Sequence, residues 1–376
     1  MACDRPTVYA ILEPLIDKKI SHLFNTNHLS DARMLVTSKR WILRGRGNHA
    51  EVPSIETVAA LKRMLRWHRT LDGVWFDRYG VSILFYAILR RDDAVFRALI
   101  DDVAAEPSAR KRRKILLSRI RKEGKTRYGI PGHATSLHVA VAMGSPMMVE
   151  ELLRRGVDPN TTDTMGSDAF MLGCGTDNIA SQRRWLELIP TWDVNRRNRI
   201  VGGMALGIAV LYGTNKMATV QFLIENGADI SLCTHSGNSV LMSATDSPDA
   251  DPVVVSFLLD SARKSGVPNF RDFVNYRSRP RSFKWKLIRW ATRALRFVGL
   301  LRRHVLVYFM DKEGSTALHN AVQRGDTDIA EILLDAGADS SLRTTHTKAN
   351  VAEWARRFGP FPAIEALLFR SRPSNT

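Results

Sequence analysis

Residues 311–339 read DKEGSTALHNAVQRGDTDIAEILLDAGAD. Leu318 and Ala321 stand three apart on one helical face, and Ile329, Ile332 and Leu333 form the i, i+3, i+4 stripe of a second helix. Thr316 precedes the first stripe, where a hydroxyl accepts from an orphan backbone N–H. Gly337 follows the second, where a left-handed C-cap is needed. Residues 135–160, TSLHVAVAMGSPMMVEELLRRGVDPN, repeat the order with Thr135, Leu137, Ala140, Val149, Leu152, Leu153 and Gly156. A helix pair this short buries its stripes only against other copies of itself.

Further copies appear on either side. The apolar residue two after the capping hydroxyl recurs at Leu84, Leu137, Phe170, Leu206, Leu241, Leu318 and Ala352, with successive gaps of 53, 33, 36, 35, 77 and 34. Four gaps lie close to a period of about 33 residues. Ser82 is a weaker copy of the capping residue, and Gly227 stands where Gly156 and Gly337 do. The third copy replaces the capping Thr by Asp168 and the helical Ala by Gly173. The last runs from Asn350 through Trp354, Ala355, Gly359, Ile364 and Leu367, and its losses suit a terminal unit with one face in water.

The repeated segment closely resembles the ankyrin repeat, over roughly residues 77–368. That resemblance implies an all-α ankyrin-repeat solenoid of helix pairs with short hairpin connections, and a non-enzymatic interaction scaffold or adaptor that binds a protein partner on its concave side. Binding in the family uses hairpin tips and the exposed ends of the first helices. Carried over by position, those slots hold Arg78, Tyr79 and Arg90, then His235 and Asn238, then Lys312, Glu313, Gln323 and Arg324. The resemblance also gives His138 and His319 a structural place, tying neighbouring hairpins by hydrogen bonds.

The two long gaps coincide with the chain's basicity. Of a net charge of +17, residues 110–127 carry ten Lys or Arg against one acid, and residues 277–303 carry ten against none. The remainder is therefore close to neutral, and the surplus belongs to insertions at about 105–131 and 276–310. Arg110, Lys111, Arg112, Arg113 and Lys114 in the first, with Lys284, Lys286, Arg289, Arg293 and Arg296 in the second, favour an acidic protein, an anionic membrane surface or nucleic acid. Residues 283–305 predict a basic amphipathic helix whose arginine face lies in water. The excess over one period also accommodates an aberrant extra repeat, and the three large aromatics Trp285, Trp290 and Phe297 incline the reading that way.

Before the repeats, residues 1–76 predict a small helical region, read as a cap on the first repeat. Leu15 to Trp41 also resembles a degenerate F-box, which would make the chain a substrate receptor of a ubiquitin ligase. Residues 371–376 predict a disordered tail. The early apolar run is broken by Asp4, Glu13 and Pro14, no run approaches the length of a membrane span, and Cys3, Cys174 and Cys233 lack zinc spacing. These features predict an intracellular protein, cytoplasmic or nuclear, with reduced thiols.

Chemistry-bearing motifs are incomplete. Gly124-Lys125-Thr126 ends like a phosphate loop but has Arg119 where its first glycine belongs. Asp246, Asp249 and Asp251 are followed by neither the glycine bend nor the bidentate Glu of a calcium loop. The expectation is no catalytic residue, metal, cofactor or small-molecule substrate.

Overall fold

The structure is a computed structural model that describes residues 82–120, 131–213, 215–297 and 312–370. The expected N-terminal cap or F-box, Arg78, Tyr79 and the tail lie outside the described residues. Two compact units emerge. One holds the described residues up to Ile200 together with residues 212, 213 and 215, and the other holds Val201–Leu211 and residues 216–297 and 312–370.

In the first unit the pairs are α1 (Ile83–Arg90) with α2 (Asp93–Ala105), α4 (Ser136–Met143) with α5 (Pro146–Arg154), and α6 (Ala169–Cys174) with α7 (Ile179–Leu188). A short α3 (Ala109–Leu116) follows the first pair. Helix α4 packs on both α1 and α6, and also on its own partner, so it is buried all round. Its small residues Ala140 and Ala142 let those helices approach closely. Helix α5 packs on α2, α4 and α7 but is not covered all round, and it is amphipathic, burying Met148, Val149 and Leu152.

Leu153, expected in that stripe, is half-buried instead. At about 100° per residue, positions 148, 149 and 152 share an arc of about 100° and position 153 falls roughly 40° beyond it. The same arc is buried in α15 below, at Ile329, Ala330 and Leu333, and Ile332 falls roughly 60° beyond its other edge.

In the second unit the pairs are α8 (Ala205–Tyr212) with α9 (Lys216–Glu225), α10 (Val240–Asp246) with α11 (Pro252–Lys264), α14 (Ala317–Arg324) with α15 (Thr327–Asp335), and α16 (Val351–Ala355) with α17 (Pro362–Arg370). Among the described residues, two helices lie outside the pairing, α12 (Phe270–Val274) and α13 (Phe283–Phe297). Helix α10 packs directly on α14, and α11 directly on α15. No helix pair is interposed there, so the segment carrying α13 leaves the stack, and the extra-repeat reading does not hold.

Side chains at the helix starts account for much of the local order. Asp92, Ser145, Asp168, Ser239, Asp251 and Thr316 each accept a hydrogen bond from a first-turn N–H. Ser82 makes no such bond, contrary to its weak resemblance to the capping Thr. In the last copy Asn350 takes over, its side chain accepting from the Glu353 N–H at 2.9 Å while Glu353 accepts from the Asn350 N–H at 3.1 Å. There Leu368, not Leu367, is the buried residue beside Ile364. Gly156, Gly227 and Gly337 sit at positive φ just past their helices, as the C-cap reading requires. Each unit is thus all-α, with helix pairs stacked in the solenoid manner of the repeat.

Candidate partner interface

Between the end of one helix pair and the start of the next, the chain makes an extended hairpin tip. Tips of consecutive copies are joined by backbone hydrogen bonds. In the first unit the Thr164 N–H donates to the Gly132 carbonyl at 2.9 Å, and the Arg199 N–H to the Gly166 carbonyl at 3.1 Å. In the second, the His235 N–H donates to Val201 and the Arg281 N–H to His235, both at 2.9 Å. The Gly314 N–H then reaches the Ser278 carbonyl at 2.9 Å, and the Thr345 N–H the Glu313 carbonyl at 2.6 Å. Each unit therefore presents its tips in a fixed row.

Such close approach sets which residues fit. Gly166 has φ +73°, and a Cβ there would lie 2.5 Å from Cβ of Arg199 on the next tip. Gly314 has φ +78°, with the Thr345 backbone nitrogen 2.7 Å from where its Cβ would be. A side chain at either position meets both a left-handed backbone and the neighbouring tip.

The histidines fix the tips to the helices. Nδ1 of His138 lies 2.9 Å from Oγ1 of Thr135 and accepts from the Thr135 N–H at 3.2 Å, so the ring proton sits on Nε2, 3.3 Å from the Ser167 carbonyl of the next tip. His319 repeats the contact with Thr316 at 2.9 Å. Burial lowers both imidazoles to a pKa of about 4, which keeps them neutral at physiological pH. Asp163 closes its tip by accepting from the Met165 and Ser167 N–H groups at 2.7 and 3.0 Å, and burial pushes its carboxyl up to about 7.

With the framework occupied, the exposed charges remain to be read. Arg119, His133, Arg197 and Arg199 are exposed on the tips of the first unit. Arg279, Arg281, Arg343, His346 and Lys348 are exposed on those of the second. Among the described residues, Asp163 and Glu313 at the bonded tips are not exposed, and the exposed acids Asp158, Asp193, Asp229 and Asp272 lie earlier in the same connections. The exposed charges at the bonded tips themselves are cationic.

The residues expected to meet a partner divide differently. Lys312 is buried, with Nζ 2.6 Å from the Asp246 carboxylate. Arg324 lies 2.8 Å from Asp326 and donates to the Asp246 carbonyl. Glu313 is half-buried and faces Arg289 at 3.4 Å. Asn238 accepts from the Ser278 hydroxyl at 3.3 Å, His235 serves the tip row through its backbone, and Gln323 is half-buried. The side chain of Arg90 lies outside the described residues, as do those of Arg293 and Arg296.

In the first insertion Arg110, Arg113 and Lys114 are exposed, while Lys111 pairs with Glu106 at 3.4 Å and Arg112 donates to the Glu106 carbonyl. In the second, Lys284 and Lys286 are exposed but Arg289 is buried, donating to the Ser236 carbonyl at 3.0 Å. An arginine face in water, expected for α13, is therefore corrected at Arg289: the arginine is the anchor that ties the helix to two tips.

Sequence reading missed Arg119, Arg197, Arg199, Arg279 and Arg281. They lie a few residues before a repeat, or before the inserted helix, where the tip falls. Those copies lack the D-x-x-G signature present at Asp163 to Gly166 and Asp311 to Gly314, so nothing flagged them as tips.

Comparison with known proteins agrees with this architecture. The family model described as ankyrin repeat matches residues 133–164 and 313–345. The human B-cell lymphoma 3 protein is 29% identical over 215 residues, 56% of this chain and 37% of that protein. Its mouse homolog is 27% identical over 215 residues, 56% of this chain and 38% of its own. The match thus spans under two-fifths of the length of these relatives. Among solved structures, the ankyrin repeat domain of Bcl-3 superposes with a TM-score of 0.47 at 24% identity, covering 77% of this chain and 100% of that one. With the family model matched in both units, and the same capped helix pair and bonded tip recurring around each match, the chain is an ankyrin-repeat protein.

Proposed function

We propose that the chain is a non-enzymatic scaffold that binds an acidic protein partner along its hairpin tips. The carrying observation is the tip row, where exposed side chains of one sign are held at fixed spacing by backbone bonds. A rigid cationic row loses little entropy on meeting an acidic segment and accelerates its approach. The basic first insertion adds attraction of the same sign. Binding rather than catalysis is also favoured by the two buried histidines, whose Nδ1 atoms are committed to the capping threonines of the repeat framework. The cytoplasm or nucleus is the compartment in which such a scaffold, with Cys174 and Cys233 buried as thiols, would work.

Affinity capture with mass spectrometry tests this reading, comparing the intact chain with Arg197→Glu/Arg199→Glu and with Arg279→Glu/Arg281→Glu. An acidic partner held by the intact chain is lost from one or both variants, and its binding weakens steeply with salt. Retention of the same partner by both variants, with no salt dependence, refutes the tip interface.

A further inference from the structure

Helix α13 turns outward a face that the tip interface does not use. Ser282 starts the helix by accepting from the Trp285 N–H at 3.3 Å, and Trp285, Arg289 and Thr292 form its buried side. Arg289 pins that side to the Ser236 carbonyl and to Glu313. The opposite side carries Phe283, Leu287 and Trp290, which are 81%, 51% and 66% exposed. They follow one another at i, i+4 and i+7, so they line one stripe about 10 Å long. Lys284 and Lys286 are exposed beside it, and the helix contains no acid.

We propose that this stripe docks the protein onto an anionic lipid membrane. Two large aromatics and a leucine facing water cost solubility unless something covers them. The flanking lysines select a negatively charged occupant. An aliphatic Leu287 between two aromatic rings suits acyl chains and headgroups, whereas bases stack on aromatic faces and gain little from leucine. Phenylalanine and tryptophan inserted shallowly, with lysine amines level with the phosphates, is the arrangement of an interfacial helix. The buried Arg289 contacts hold the helix ready, so docking does not require it to fold on the surface. Three side chains give reversible binding, within reach of salt and lipid composition.

Co-sedimentation of the full chain tests this, using vesicles of phosphatidylcholine alone and of phosphatidylcholine mixed with phosphatidylserine. The intact chain pellets with the mixed vesicles and much less with phosphatidylcholine alone. Phe283→Ser/Leu287→Ser/Trp290→Ser lowers the partition coefficient by about tenfold or more, and so does Lys284→Glu/Lys286→Glu, since each lysine near an anionic surface contributes about fivefold. Arg197→Glu/Arg199→Glu, which alters the tips, leaves α13 and its lipid binding in place, so loss of one activity does not imply loss of the other. All five altered α13 positions are exposed, and the lysine variant keeps the test decisive if the serine variant fails to fold. Absence of pelleting by the intact chain, or equal pelleting of the serine variant, overturns the proposal. A stripe that proves to bind poly(U) instead of vesicles, or a second copy of the chain through Trp290, also overturns it.

Discussion

Leu318 and His319 are adjacent and both buried, yet they stabilise the fold for different reasons. Leu318 is buried in α14, which packs on both α10 and α16, and Leu318→Ala should cost roughly 2–5 kcal/mol in chemical denaturation. A cost below about half a kcal/mol would mean the helix pairs do not share a core there. His319 stabilises as a neutral acceptor for the Thr316 N–H, at 3.3 Å. Folded, it stays neutral down to about pH 4, whereas an unfolded histidine takes up its proton near 6.5. As pH falls through that window only the unfolded state gains the proton, so stability falls with pH and is unaffected above it. At about pH 5 the loss is on the order of 2 kcal/mol, and His319→Asn, which keeps an acceptor but cannot titrate, should flatten the melting temperature between about pH 7 and pH 5. An unchanged slope would exclude His319 as the source. His138 acts in the same sense, but Asp163 opposes it. That carboxyl ionises near 3.8 when unfolded and near 7 when folded, so its contribution is present at low pH and lost as pH rises through about 7.

At the scale of the element, helix pairs with intact caps were legible, and the displaced helix was legible as a helix starting at Phe283 but not in the face it buries. Thr135 and Thr316 announce their helices because a hydroxyl, an apolar residue two later and a glycine past the second helix recur together. Asn350 and Glu353 carry an equivalent signal in different letters, an N-cap with its reciprocal partner three residues on. Helix α13 misleads because amphipathicity fixes which residues share a face, not which face is buried. Periodicity suggests arginines outward and apolar residues inward. Glu313 and the Ser236 carbonyl, respectively 24 and 53 residues from Arg289 in sequence, supply the inward partners that reverse this at Arg289. Arg289→Ala should leave Glu313 half-buried without that cation, costing roughly 1–3 kcal/mol locally. Limited proteolysis between residues 276 and 311 should then speed up while the unfolding midpoint of the chain moves little. Unchanged cleavage would show that Trp285 and Thr292 hold the helix without the arginine.

The repeat copies also predict how a disturbance spreads through the molecule. Each first helix is buried only because two neighbouring copies cover it, so stability is a sum of pair energies and interface energies. In the second unit α14 contacts α10 on one side and α16 on the other, and α15 likewise contacts α11 and α17. Weakening α14 through Leu318→Ala therefore lowers two interfaces as well as one pair. Amide hydrogen exchange should rise in α10 and α16 along with α14, graded by contact, since an opening that exposes α14 must uncover both partners. In the first unit α4 holds the corresponding place between α1 and α6, and Leu137→Ala should raise exchange in those two helices. Helix α13 is bound to the stack through tip contacts and lies outside the helix-to-helix interfaces, so Leu318→Ala should reach it only as far as the Glu313 tip is loosened. Exchange confined to the mutated helix in both variants would show that the pairs are stable alone. That outcome would contradict the physical basis of the repeat, in which a single copy cannot bury its own apolar stripes.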